Sequence, residues 1–82
     1  MFQWLKCSVL KGMFSDELAV KVSGLKGNEL SVFVPKGEVE GGIGQEGKVR
    51  VRVFHRDQTA WAVLPTENHA TIPVNDADLV PS

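Results

Sequence analysis

The chain has 82 residues, of which 43% are apolar and 23% charged, and its formal net charge is −1. This length accommodates one small domain, residues 1–82, and leaves no room for a separate cofactor domain. The nearly neutral charge gives no overall attraction to nucleic acid or to an anionic membrane, although it allows a local basic patch.

Cysteine usage and hydropathy narrow the class further. Cys7 is the only cysteine, which excludes an internal disulfide and a cysteine-rich zinc site. No stretch approaches the roughly 20 apolar residues of a membrane span, and the first residues lack the pattern of a secretory signal. We therefore expect a cytoplasmic protein with no membrane contact and no cofactor.

Apolar and polar residues alternate with a period of two in four segments of the chain. This period is typical of half-buried strands and not of helices. The side chains expected to face the core are Leu5, Cys7 and Val9 in the first segment, Leu18, Val20 and Val22 in the second, Leu30, Val32 and Val34 in the third, and Val49, Val51 and Val53 in the fourth.

Turn residues separate these segments. The glycines and asparagine of residues 23–29 predict a hairpin between the second and third strands. Residues 35–47 carry five glycines and form the longest irregular segment. Farther on, a three-residue loop at 56–58 would pair Val53 with Trp61 and Val51 with Val63. This register directs Trp61 into the core, whereas the alternative, a slip of one residue, would set Trp61 opposite Phe54 and Val63 opposite Arg52.

The C-terminal segment predicts one helical turn between short strands. Asn75 or Asp76 is suited to cap a turn from Asp76 to Leu79, after which Leu79 and Val80 return to the core. No window supports a long amphipathic helix. Five or six short strands with closely spaced turns predict an all-β fold, a small antiparallel barrel with a short 3₁₀ turn near the C-terminus.

The glycine-rich segment also fits nucleotide-binding motifs. Gly42, Gly44 and Gly47 match G-x-G-x-x-G, and Lys48 follows as in a triphosphate-binding loop. Both motifs require a helix after the glycines, whose N-terminus faces phosphate. A strand pattern follows here instead, so we interpret the segment as a flexible connection. A flap that closes over a ligand is the alternative.

Basic residues recur along one face of the fourth strand. Lys48, Arg50 and Arg52 share this face, and Arg56 extends it past the hairpin. Such a stripe can follow a phosphate backbone, while Phe54 on the same face can stack on a base. The alternative is the ordinary solvated side of a strand.

Aromatic and acidic residues suggest two further surfaces. Phe2, Trp4, Phe33 and Phe54 are candidates for an interface, because large aromatics outside a small barrel often contact a partner; the alternative is that they cover the barrel ends. Phe14, Asp16 and Glu17 form an acidic loop that suits a basic peptide. Alternatively, this loop is a turn with Met13 or Phe14 folded over the barrel.

Catalytic and metal-binding patterns are weak. His55 and His69 are the only histidines, and neither has a cysteine nearby, so we expect both at the surface. Cys7 alternates with inward-facing residues and is expected to be buried and inert. We predict no catalytic, cofactor or metal site.

Two stretches resemble the SH3 family. Residues 15–20, "SDELAV", are similar to the end of that family's long first loop, and residues 70–80, "ATIPVNDADLV", resemble its closing strand, 3₁₀ turn and last strand. The resemblance implies an SH3-like barrel. The family's aromatic opening motif and tryptophan pair are absent, so its proline-peptide groove is not implied.

Three functions follow from these features, in decreasing order of support. The first is a noncatalytic interaction module of unknown partner that forms homo-oligomers through its exposed aromatics. The second is a nucleic-acid-binding barrel that uses Lys48, Arg50, Arg52 and Arg56. The third is an enzyme whose site forms only at a subunit interface.

Overall fold

The computed structural model describes residues 2–81 and is built from strands. Two single-turn 3₁₀ helices, Lys36–Glu38 and Asp76–Asp78, interrupt them. The strands are β1 (Phe2–Lys11), β2 (Glu17–Ser23), β3 (Glu29–Pro35), β4 (Val39–Glu40), β5 (Glu46–Arg56), β6 (Thr59–Val63), β7 (Thr71–Val74) and β8 (Leu79–Pro81). The prediction of an all-β chain is confirmed.

All strand pairs are antiparallel and belong to one curled sheet. Its main path runs β3-β2-β1-β5-β6-β7, while β4 pairs with β5 and β8 pairs with β1. The two longest strands, β1 and β5, lie side by side at the centre and pair from Phe2↔Arg52 to Ser8↔Glu46. The sheet curls into a half-barrel around the core.

The core contains the residues that the period of two predicted. The alternate residues of β1, β2 and β5 are buried, and from β3 Val34 is buried while Leu30 and Val32 pack against the cluster at its margin. No buried polar or charged residue occurs among the described residues, so the interior is held by apolar contact. The remaining contributions come from Ala60, Ala62, Leu64 and Val74.

The β5–β6 hairpin has a different register from the predicted one. Phe54 pairs with Trp61 and Arg52 with Val63, so the loop contains two residues, Asp57 and Gln58, and Trp61 points outward. Both loop residues have positive φ, 52° and 66°. Two-residue turns of this kind match the twist of paired strands better than longer loops do. The small Ala60 and Ala62 therefore take the inward positions that we had assigned to Trp61 and Val63.

We predict that Gln58→Gly stabilises the protein by about 1 kcal/mol, because a left-handed backbone costs a residue with a Cβ roughly that much. The midpoint of urea unfolding should rise accordingly. Gln58→Ala retains the Cβ and should give no such gain; equal stability of the two variants would contradict the turn geometry.

The C-terminal turn is present, but its cap differs from the prediction. The turn spans Asp76–Asp78, and Asn75 makes no side-chain capping hydrogen bond. Instead, the Asp78 N–H donates to the Asn75 backbone carbonyl at 3.0 Å. After the turn Leu79 packs against the core, as expected, and β8 pairs with β1 through Leu5↔Leu79. The expectation that Val80 also enters the core is wrong: Val80 pairs with Trp4 and lies on the outer side of the sheet beside Lys6 and Lys48, because side chains alternate along the strand.

The sheet is not closed by strand pairing at its two ends. β3 and β7 form the ends of the main path, and their Cα atoms are mostly more than 8 Å apart. Pro73 in β7 has no N–H to donate. One hydrogen bond, from the Leu25 N–H to the Pro73 carbonyl at 2.9 Å, joins the ends beside the β2–β3 hairpin. Within residues 2–81, no helix has the length and apolar character needed to cross a bilayer.

Candidate functional site

The outer face of the two central strands brings the predicted basic stripe and most of the predicted aromatics together. Pairing of β1 with β5 sets Trp4 opposite Arg50 and Phe2 opposite Arg52. Because side chains alternate along each strand, all four point away from the core. We call this surface the basic-aromatic face; its residues are Phe2, Trp4, Lys48, Arg50, Arg52, Phe54 and Trp61.

Cations and rings are in direct contact on this face. The Arg50 guanidinium carbon lies 4.5 Å from the centre of the Phe2 ring, and that of Arg52 lies 5.5 Å from the same ring. The Lys48 Nζ lies 5.1 Å from the centre of the Trp4 ring. Cation–π attraction at these distances holds long, flexible side chains against the sheet. The basic groups are thereby held close to one surface.

An aromatic pair forms the end of the face nearest the β5–β6 hairpin. The rings of Phe54 and Trp61 are stacked at 6.4 Å between centres and are inclined by 7°. Offset stacking of this kind is favourable for aromatic pairs. Sequence reasoning missed Trp61, because the predicted register placed it inside. The signal that could have found it is Asp57, since aspartate tolerates the left-handed backbone of a two-residue turn.

The charge of the face changes along its length. Lys6 of β1 lies opposite Lys48 and adds a cation. Beyond them the Lys48 Nζ lies 3.8 Å from a carboxylate oxygen of Glu40 in β4. Arg56, the last predicted basic residue, pairs with Thr59 at the base of the β5–β6 turn and is exposed. The region around Arg50 and Arg52 therefore carries the excess positive charge.

Phe33 and the acidic loop lie apart from this face. Phe33 pairs with Ala19 on the outer side of the β2–β3 hairpin and is exposed. It lines a groove of about 450 Å³ together with Asp16, Pro65 and Glu67. The four predicted interface aromatics therefore do not form one surface.

The acidic loop is organised by its own carboxylate. Glu17 Oε1 accepts hydrogen bonds from the backbone N–H of Met13 at 3.1 Å and of Phe14 at 3.3 Å. This contact orders the turn between β1 and β2. Met13 and Phe14 are 74% and 68% exposed, so neither is folded over the barrel as the alternative for this loop proposed.

The glycine-rich segment is packed against β1. The Gly44 N–H donates to the Val9 carbonyl at 2.7 Å, and the Val9 N–H donates to the Gln45 carbonyl at 2.9 Å. A Cβ on Gly47 would lie 2.7 Å from Val9 Cγ2 and would collide with the carbonyl oxygen of Glu40. Close approach of backbone to side chain accounts for Gly47, and no helix follows it, so the phosphate-binding geometry of either motif is absent from this segment.

We predict that Gly47→Ala destabilises the fold by about 1–3 kcal/mol, as overpacking does. Gly37→Ala is the matched control, because a Cβ there meets nothing within 4 Å. Urea unfolding of both variants gives the comparison, and a Gly47→Ala protein as stable as the control would contradict the packing.

The two histidines lie in different parts of the fold. His55 Nε2 lies 3.8 Å from Asp76 Oδ1, and both side chains are exposed. His69 lies in the loop before β7. Within the described part of the chain, no three histidine, cysteine or acidic residues are arranged to hold a metal ion.

Cys7 is buried in the core, as predicted. Burial, assisted by the negative charge of Glu46, raises the pKa of its thiol to about 11. A thiol with this pKa is protonated at neutral pH and is a poor nucleophile.

The raised pKa of Cys7 predicts a pH-dependent loss of stability. In the unfolded chain the thiol ionises near pH 8.5, whereas in the folded protein it keeps its proton until about pH 11. The free energy of unfolding should therefore fall as pH rises through this window. Measured against Cys7→Ala, which lacks the group, the native chain should lose more stability; parallel pH profiles would contradict the assignment.

Comparison with known proteins gives no relative for this chain. No protein-family model, curated protein or solved structure matches it.

Proposed function

We propose that this chain is a noncatalytic binding module with an SH3-like topology, and that its basic-aromatic face binds single-stranded nucleic acid. The observation that carries the proposal is the interleaving of Arg50 and Arg52 with Phe2 and Trp4 across two paired strands. Alternate cations and rings suit a ligand that alternates phosphates and bases.

The order of the last strands supports the SH3-like topology. β5, β6 and β7 form a meander, and a 3₁₀ turn then leads into β8, which pairs with the first strand. This is the arrangement that the resemblance of residues 70–80 implies.

Phosphate recognition is assigned to the cations at the centre of the face. Arg50 and Arg52 are exposed, and stacking on Phe2 presents their guanidinium groups on one side of the sheet. A guanidinium group presents several N–H donors in a plane and can contact phosphate oxygens in pairs. Because the charge is local, the net charge of −1 does not oppose binding at this face.

Base stacking is assigned to the aromatic pair. Phe54 is 44% exposed and is backed by Trp61, so a base can stack on it while the pair keeps its geometry. Unpaired bases are accessible to such a platform, whereas bases inside a duplex are stacked on one another. This difference favours a single strand as the ligand.

Electrostatics disfavour self-association through the same face. In a symmetric contact the same patch meets itself, which would bring Arg50 and Arg52 of one copy against the same cations of the other. An anionic ligand is attracted by the charge that repels a second copy.

We predict that single-stranded RNA binds with an affinity that falls with salt, because binding releases counterions. Arg50→Gln should weaken binding and lower the slope of log K against log salt by about 0.7, the value for one phosphate on a single strand. Lys26→Gln removes one positive charge from the exposed β2–β3 turn and serves as the control. Fluorescence anisotropy with a labelled oligonucleotide measures both quantities.

The same titration tests the stacking platform. Phe54→Ala should weaken binding at least fivefold, from a stacking contribution of about 1–3 kcal/mol. Met13→Ala removes an exposed apolar side chain elsewhere and should have no effect. Absence of binding at low salt, or equal losses in the variants and their controls, would refute the proposal.

A further inference from the structure

The two unpaired ends of the sheet form an open seam that exposes part of the core. Four apolar residues beside the seam are only partly buried, although all pack against the core cluster. They are Leu30 and Val32 of β3, Ala70 just before β7 and Ile72 within β7. A pocket of about 420 Å³ lies at one end of the seam between Leu30 and Ile72. The seam is therefore an apolar margin with strands on both sides.

The backbone of β3 presents unused hydrogen-bonding groups at this seam. The Gly24 N–H donates to the Asn28 carbonyl, and the Lys36 N–H donates to the Asp16 carbonyl. These two bonds continue the β2–β3 register at its two ends and so show which residue pairs of the ladder are hydrogen-bonded. Hydrogen-bonded pairs recur at every second residue of an antiparallel ladder. Leu30, Val32 and Val34 therefore bond to β2, while Ser31 and Phe33 direct their N–H and carbonyl groups into the seam.

The opposite side of the seam does not satisfy these groups. β7 has four residues. The Leu64 N–H donates to the Ala70 carbonyl at 2.8 Å, and because hydrogen-bonded pairs recur at every second residue, Ile72 and Val74 are the residues of β7 that bond to β6. Among residues 2–81, only the Pro73 carbonyl of β7 accepts a hydrogen bond from across the seam, from the Leu25 N–H. An open edge with flanking apolar side chains is the ordinary template for adding a strand.

We propose that a second copy of this chain pairs with this edge, β3 antiparallel to β3, to form a two-fold dimer with a continuous sheet. The ladder would join Ser31 of each copy to Phe33 of the other, with Val32 of both copies on the axis. This register also sets Leu30 opposite Val34 of the second copy, so that the apolar inner faces of both half-barrels meet.

Composition favours this register over its two neighbours. A shift that sets Ser31 opposite Ser31 of the second copy would place Val34 opposite Asn28 and lose an apolar contact at each end of the ladder. The opposite shift would place Pro35 opposite Ser31 and lose a ladder hydrogen bond at each end. Pro35, which lacks an N–H, lies at the end of the ladder, where it interrupts pairing least.

A second copy also explains the exposure of Phe33. Its side chain lies on the outer side of β3 and is 48% exposed. In the proposed ladder it stands beside Ser31 of the second copy and loses part of that exposure. The dimer does not depend on the proposed nucleic-acid function, since β1, β5 and β6 lie away from β3 in the sheet order and their outer face stays free.

Solution mass and amide exchange of the full chain test the proposal together. Sedimentation should give twice the 9.0 kDa mass of the chain at high concentration. Ser31→Pro removes an N–H that the second copy needs and should give a monomer, whereas Ser31→Ala keeps it and should stay dimeric. Arg50→Gln should not alter the mass, which separates this result from failure of the RNA-binding proposal.

Amide hydrogen exchange of the native chain provides a readout that requires no variant. The amides of Ser31 and Phe33 should gain protection as concentration rises, while those of Leu30 and Val32 are protected throughout. A chain that remains a monomer at every concentration would overturn the proposal. It would also be overturned if the Ser31 amide gained protection only when an unrelated extended peptide was added, because β3 would then pair with a different partner. A dimer that leaves the Ser31 and Phe33 amides unprotected would overturn it as well.

Discussion

The alternation of side chains along β5, in register with β1, is the constraint on which the remaining structure depends. Val49, Val51 and Val53 enter the core, and the residues between them form the outer face. A slip of one residue would bury the cations and expose the valines, at a cost that no surface contact could offset. The burial of three valines therefore also fixes the position of Arg50 and Arg52. Stability and the candidate binding surface are thus two consequences of one strand.

Two surfaces of different chemistry follow from the way the sheet curls. At its centre β1 and β5 pair with each other, and their outer face presents cations in contact with aromatic rings. At one end of the sheet, β3 has unpaired backbone groups beside the partly buried Leu30 and Val32. We propose an anionic ligand for the first surface and a second copy of the chain for the second. Because the two surfaces lie on different strands, the two proposals do not compete.

Two motifs that suggested ligand binding in the sequence have local structural roles in the fold. The last glycine of the G-x-G-x-x-G pattern is explained by local packing, because Gly47 approaches Val9 and Glu40 too closely for any side chain. The acidic pair of the first loop also has a local structural role, since Glu17 bonds to the backbone of its own turn. In both cases the residues alone cannot distinguish a ligand from a neighbouring segment, because the same donors, acceptors and small residues serve either purpose.

The sequence by itself determined the four longest strands, β1, β2, β3 and β5, the side of each that faces the core and the outward direction of the basic stripe, because these depend only on a local period of two and on turn residues. The β5–β6 register was predicted wrongly by one residue, since the observed two-residue turn, whose twist suits paired strands, shifts the pairing and directs Trp61 outward, although it holds Gln58 in a left-handed backbone. Only the tertiary structure decided that Phe2 and Trp4 lie beside Arg50 and Arg52 while Phe33 lies elsewhere. Which strands become neighbours depends on how the whole sheet curls to bury its apolar side, and residues more than 40 positions apart share no local signal.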